Sequence, residues 1–162
     1  MELPVAIRVR QAVILDATVV VSLASKEKNT YLHATAAVNR YIALNCDFFA
    51  PGVLVSETLF TLCRMKENDK TLTNEEHRRA VKDFHTLYGF ILPPPNGEAD
   101  LIFRAETIRG DYTCYRSADS IYIALAQALS ETRPATLLTL DEGLQKQATR
   151  NASGVIVELI DL

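Results

Sequence analysis

The tightest limit on how this chain can fold is set by five short, almost wholly apolar runs, at 13–15, 47–50, 89–92, 136–140 and 155–157, separated by longer stretches with helical periodicity. Strands that are apolar on both faces are buried on both, and connections long enough to hold a helix suit parallel crossovers. The pattern predicts an α/β fold, a three-layer α/β/α sandwich around a central parallel sheet of about five strands. Pro93, Pro94 and Pro95 should end the third run, because proline brings no N–H to a ladder.

The intervening stretches read as amphipathic helices. Tyr31, Ala34, Val38 and Tyr41 recur at three- and four-residue steps. Leu54, Leu59, Leu62 and Cys63 offer an inner face for a helix over 53–65. Thr73 with Glu76 forms the sequence signature of a capping box, and Ala80, Val81, Phe84 and Leu87 mark the buried face of the helix it opens. Leu101, Ile102, Ala105 and Ile108 do the same for a helix ending at Arg109, and Ile121, Tyr122, Leu125 and Ala126 for one beginning at Ser117.

The 162 residues show no internal repeat, low-complexity tract or linker, so a single domain over 1–162 is expected, with 1–11 as a candidate N-terminal arm. Hydrophobic content of 48% and charged content of 23% are ordinary for a globular chain and give no case for disorder. There is no apolar run of about 18 residues, and Glu2, Arg8 and Arg10 interrupt what would have to be a signal core. A cytoplasmic protein with no membrane span is expected. Cys46, Cys63 and Cys114 are an odd count without C-x-x-C spacing and read as small buried hydrophobes in a reducing compartment. His33, His77 and His85 are widely separated on helical patterns, which disfavours a histidine metal site or a catalytic triad.

The net charge of −3 argues against a generic nucleic-acid coat protein. It leaves room for an enzyme that meets phosphate through bound metal, since two divalent cations would bring −3 to +1. Arg64, Lys66, Lys70, Arg78, Arg79 and Lys82 are interleaved with acids and read as a solvated face.

Four acids occupy related places. Asp16 and Asp141 close apolar strands, while Glu57 and Asp119 fall in the first turn or two of helices. Right-handed parallel crossovers put strand C-termini and helix N-termini at one edge of the sheet, so all four carboxylates can converge. Each also has an ordinary reading as a helix cap, a dipole partner or a solvated residue. Together they offer oxygen-only ligation suited to Mg²⁺ or Mn²⁺.

The surrounding motifs are Ile14-Leu15-Asp16-Ala17-Thr18, Pro51-Gly52-Val53-Leu54-Val55-Ser56-Glu57, Ala118-Asp119-Ser120-Ile121-Tyr122-Ile123-Ala124, and Leu138-Thr139-Leu140-Asp141-Glu142-Gly143-Leu144. From Val13 onward the chain resembles a PIN domain of the VapC toxin type. It departs from that pattern in about ten extra residues before Asp16, in Ser120 where alanine is common, and in Glu142 beside Asp141. The resemblance implies a metal-dependent endoribonuclease, the toxin of a toxin–antitoxin pair. One or two Mg²⁺ or Mn²⁺ ions would be held chiefly by Asp16 and Asp119, with Glu57 and Asp141 completing the shell and the Thr18 hydroxyl supporting Asp16. It further implies an RNA substrate, a homodimer and a small antitoxin partner that inserts a basic side chain among the acids. The alternative from another class is a catalytically silent PIN-like RNA-binding or scaffold module. A phosphoaspartate hydrolase is set aside because position 18 is Thr rather than Asp, and a nucleotide-binding domain because no G-x-G-x-x-G or P-loop occurs.

Overall fold

A computed structural model of the chain describes residues 9–109 and 117–162. Most of the candidate N-terminal arm, and residues 110–116 with Cys114, lie outside the described residues. The elements run β1 (Ala12–Leu15), α1 (Ala17–Ser25), α2 (Tyr31–Ala43), β2 (Asp47–Phe49), α3 (Val53–Glu67), α4 (Asn74–Tyr88), α5 (Glu98–Arg109), α6 (Ser117–Ser130), β3 (Ala135–Thr139), α7 (Glu142–Asn151) and β4 (Ile156–Leu159).

The four strands form one all-parallel sheet in the order β2-β1-β3-β4. Burial follows that order. Every residue of the two central strands is buried, whereas the edge strands β2 and β4 are partly exposed. The α/β layered architecture is as expected, with four strands among the described residues instead of five. At 89–92 only Leu92 reaches the sheet, by an isolated parallel bridge to Phe49. The Leu92 N–H donates to the Phe48 carbonyl at 2.8 Å and the Leu92 carbonyl accepts from Ala50 at 3.2 Å. Upstream, Phe90 and Ile91 spend their N–H groups on the end of α4, bonding to the carbonyls of Leu87 and Tyr88. Downstream the three prolines stop the ladder, so the run is pinned at a single residue.

α1 packs against α2, α3 and α4, and α6 against α5, α7, β1 and β3. The main core joins the strands to Leu54, Phe84, Leu101, Tyr122, Leu125 and Leu144. A smaller cluster of Val21, Leu62, Met65, Leu72 and Ala80 ties α1, α3 and α4 together under the turn at 68–73. Thr73 makes the expected capping box: its N–H donates to Glu76 Oε2 at 2.8 Å, and its hydroxyl accepts from the Glu76 N–H at 3.2 Å.

Expected core positions are corrected. Cys63 and Ile102 are exposed and Cys46 is only half-buried. The inner face of α3 is Leu54, Thr58, Leu62 and Met65, a strict three- and four-residue series, which rotates Cys63 away from α1 and α4. Among the described residues no helix is long and apolar enough to cross a membrane.

Candidate active site

The site is built outward from Asp16. β1 ends at Leu15, and Asp16 leaves the strand with extended backbone (φ −76°, ψ 154°) to become the N-cap of α1, its carboxylate accepting from the Thr18 N–H at 3.4 Å. The capping role is real, and it does not exhaust what holds this side chain. Asp16 Oδ2 also accepts from the hydroxyls of Thr18 at 2.5 Å and Thr139 at 2.8 Å.

Each of those hydroxyls is aimed by a backbone amide. The Leu140 N–H donates to Thr18 Oγ1 at 3.1 Å, and the Asp141 N–H to Thr139 Oγ1 at 2.9 Å. With their acceptor side taken, both hydroxyls point their protons at Asp16. The first of these bonds also explains why β3 stops at Thr139, since the next amide belongs to Thr18. Asp16 is 5% exposed, and burial raises its pKa against the lowering effect of the two hydroxyls and the α1 amides.

Glu57 lies in the second turn of α3 and accepts at Oε2 from the Tyr122 hydroxyl at 2.7 Å. Burial raises its pKa, the Tyr122 hydrogen bond opposes that, and the charge of Asp16 adds to the rise. Tyr122 is fully buried on α6, one turn beyond Asp119 and on the same face. Its hydroxyl is held far above the usual phenol range, first by burial and then by the nearby charges of Glu57, Asp16 and Asp119. Three of the four acids are therefore close enough to act on one phenol. Asp119 sits in the first turn of α6. Asp141 is the N-cap of α7, its Oδ1 accepting from the amides of Gly143 at 2.6 Å and Leu144 at 3.4 Å.

All four acids and Thr18 line one pocket of about 400 Å³ at the C-terminal edge of the sheet. Its other lining residues include Glu27, Thr30, Thr61, Arg64, Asp69 and Thr71. Among the described residues no three acids, histidines or cysteines stand close enough to close around a single ion. Carboxylates gathered without a counter-charge repel one another, and here each of Asp16, Glu57 and Asp141 has an oxygen engaged by a protein donor. The donor set still fits a hard cation. Mg²⁺ takes one or two carboxylates and keeps several waters, so it does not require a closed protein cage.

Three contributors escape a reading of the sequence alone. Thr139 is one polar residue in an apolar strand, and nothing local says that its hydroxyl turns toward Asp16. Tyr122 reads as core, although its three-residue offset from Asp119 is the signal that it shares the acid's face. Arg64 reads as part of a solvated face, yet it lies on the pocket, seven residues and two turns beyond Glu57.

No protein-family model matches the chain, and no curated protein matches it. Solved structures do. FitAcB from Neisseria gonorrhoeae aligns at 18% identity over 90% of this chain and 95% of that one, with a TM-score of 0.57. FitAB bound to an IR36 DNA fragment aligns at 21% identity over 91% and 94%, with a TM-score of 0.56. VapBC2 from Rickettsia felis, bound to a DNA fragment from their promoter, aligns at 15% identity over 93% and 99%, with a TM-score of 0.59.

These findings correct the family identification drawn from the motifs. The neighbours are FitAB and VapBC complexes, matched at identities that carry the fold alone, and no family model supports membership among VapC-type PIN toxins. The four short motifs are too brief to outweigh that result, because an Asp or Glu at a strand end or helix start is common for capping reasons alone.

Proposed function

We propose that this chain is a metal-dependent endoribonuclease that hydrolyses RNA phosphodiester bonds and works within a toxin–antitoxin pair. The observation that carries the nuclease reading is the meeting of Asp16, Glu57, Asp119 and Asp141 on one pocket from four separate elements. Supporting the cellular setting, the solved neighbours are toxin–antitoxin complexes.

One or two Mg²⁺ or Mn²⁺ ions would be held by Asp16 and Asp119, with Glu57 and Asp141 binding directly or through water. When bound, such an ion supplies Lewis acidity toward phosphate oxygens and toward an attacking water. The chain's own residues supply position. Thr18 and Thr139 both donate to Asp16 Oδ2, which orients the carboxylate. Tyr122 fixes Glu57 in the same way. Asp141 is tied to the backbone amides at the start of α7, which holds the far wall of the pocket in register with the end of β3.

The carboxylate-rich pocket also suits a small antitoxin that places a basic side chain among the acids, an arginine standing in for the cationic charge. A homodimer completes the proposed assembly. The test is cleavage of single-stranded and structured RNAs with Mg²⁺, with Mn²⁺ and with EDTA, comparing the native chain with Asp119→Asn. Cleavage that needs the metal and disappears in the variant supports the reading. RNA binding without turnover in antitoxin-free protein would instead favour a silent RNA-binding module.

A further inference from the structure

We propose that Arg64 is the phosphate-positioning residue of the acidic pocket: it grips a backbone phosphate flanking the one to be cut, and Asp69 holds it in place until a strand arrives. This rests on the nuclease reading and adds a substrate requirement to it, a strand that extends at least one phosphate beyond the scissile bond.

The charge pattern of the pocket raises the need. Its described lining carries six carboxylates, Asp16, Glu27, Glu57, Asp69, Asp119 and Asp141, and a single basic side chain, Arg64. Metal charge at the acids would neutralise the scissile phosphate. Neighbouring phosphates of the same strand still meet Glu27 and Asp69, and they need a cation of their own. Arg64 is the described lining residue that can provide it.

Its placement decides which phosphate it reaches. Glu57, Thr61 and Arg64 follow one another at four- and three-residue steps along α3, and all three line the pocket. Seven residues of helix span about 10 Å, so the guanidinium works beside the acids rather than among them. A charge at that offset meets a flanking phosphate.

Its present partner is one that can let go. Arg64 Nε lies 3.5 Å from Asp69 Oδ2, and the two side chains are 53% and 45% exposed. This is a one-point contact, whereas a phosphate can take the guanidinium fork at two oxygens. The amides of Asn68 and Asp69 both donate to the Arg64 carbonyl, at 2.8 and 3.1 Å, which folds the chain so that Asp69 stays beside Arg64 whatever the side chains do. Exposed pairs of this kind are weak and screened by salt, so a strand phosphate can displace the carboxylate.

The experiment is fluorescence anisotropy of a labelled single-stranded oligouridylate, in Mg²⁺, with Asp119→Asn as the background so that no turnover intervenes. Arg64→Ala in that background should weaken binding about tenfold, the scale of one lost charge-assisted contact. It should also flatten the slope of log affinity against log salt by about 0.7, the share of one single-strand phosphate. Arg64→Lys should keep that slope while recovering part of the affinity, and Asp69→Asn should tighten binding about twofold by freeing the guanidinium. Unchanged affinity and slope in Arg64→Ala, with an unchanged circular dichroism spectrum, overturn the proposal, as does a native chain that binds no RNA. A chain that binds through Arg64 but never cleaves removes the nuclease reading and leaves the grip on the strand. A chain that cleaves with indifference to Arg64 does the reverse.

Discussion

Two pockets share one strand–helix unit and could hardly differ more. The acidic pocket is lined from this unit by Asp16, Ala17, Thr18 and Val21. A larger, apolar one of about 630 Å³ takes Leu15, Val20 and Leu23 from the same stretch and adds Val38, Ile42, Phe48 and Leu92. The alternation of a strand sends Leu15 and Asp16 to different sides, and the turn of α1 does the same for Val20 and Val21. Chemistry is thus assigned by register. The smaller pocket sets Asp16, Glu57, Asp119 and Asp141 beside apolar Val21, Met65 and Leu140, and under the proposed function it is the one that meets phosphate through bound cations; the larger one is almost wholly apolar, with a single carboxylate, Asp47, on its lining.

Neutralising Asp16 should do most to blur this contrast. Asp16→Asn keeps the shape and the acceptor for both threonine hydroxyls, and cleavage should fall at least a hundredfold, as for loss of one preorganised charge in an active site. Stability should move the other way. Burial raises the folded-state pKa of Asp16 above its unfolded value, so the folded chain holds this proton more tightly. The native chain therefore loses stability as pH rises from the ordinary carboxylate value through the raised one. The neutral amide of the variant carries no such penalty. In EDTA near neutral pH the variant should melt higher, by about 2–4 °C for each kcal/mol relieved, with the gap closing as pH falls below the ordinary value.

Thr139→Val tests the hydroxyl network. It strips one donor from Asp16 and one acceptor from the Asp141 amide at a fully buried position, so unfolding should cost about 1–3 kcal/mol less in a urea titration. Activity should drop about tenfold to a hundredfold, as for other groups that orient a metal-binding side chain, and Thr139→Ser should restore most of it. Tyr122→Phe is milder. Glu57 loses the bond that opposes its raised pKa, so the acid limb of the pH–rate profile should shift to higher pH, with about a tenfold loss below it. On the apolar side, Phe90→Ser should leave cleavage unchanged and stability within about 0.5 kcal/mol, since Phe90 is 76% exposed. A large loss of cleavage there would erase the difference between the two pockets.

What could be read from the sequence follows the same divide between local and distant causes. The central strands, the Thr73 capping box and the start of α6 at Ser117 are set by residues within a few positions of one another, and they stand as expected. The third strand fails because its outcome is decided elsewhere: α4 claims the amides of Phe90 and Ile91, and the β2 edge offers Leu92 only one place. Cys63 fails because a helix face is fixed by what it packs against, here the small cluster around Leu62 and Met65. The four acids were legible as strand ends and helix starts. Their supports, Thr139 and Tyr122, were not, because those contacts join residues 123 and 65 positions apart.

If the acids of the smaller pocket act together on a bound cation, isothermal titration of Mn²⁺ into antitoxin-free native protein, Asp16→Asn and Asp119→Asn will show it. Saturable binding at one or two sites in the native chain, weakened at least tenfold in each variant, is the predicted result. Native binding that neither substitution disturbs, or no binding at all, would contradict it.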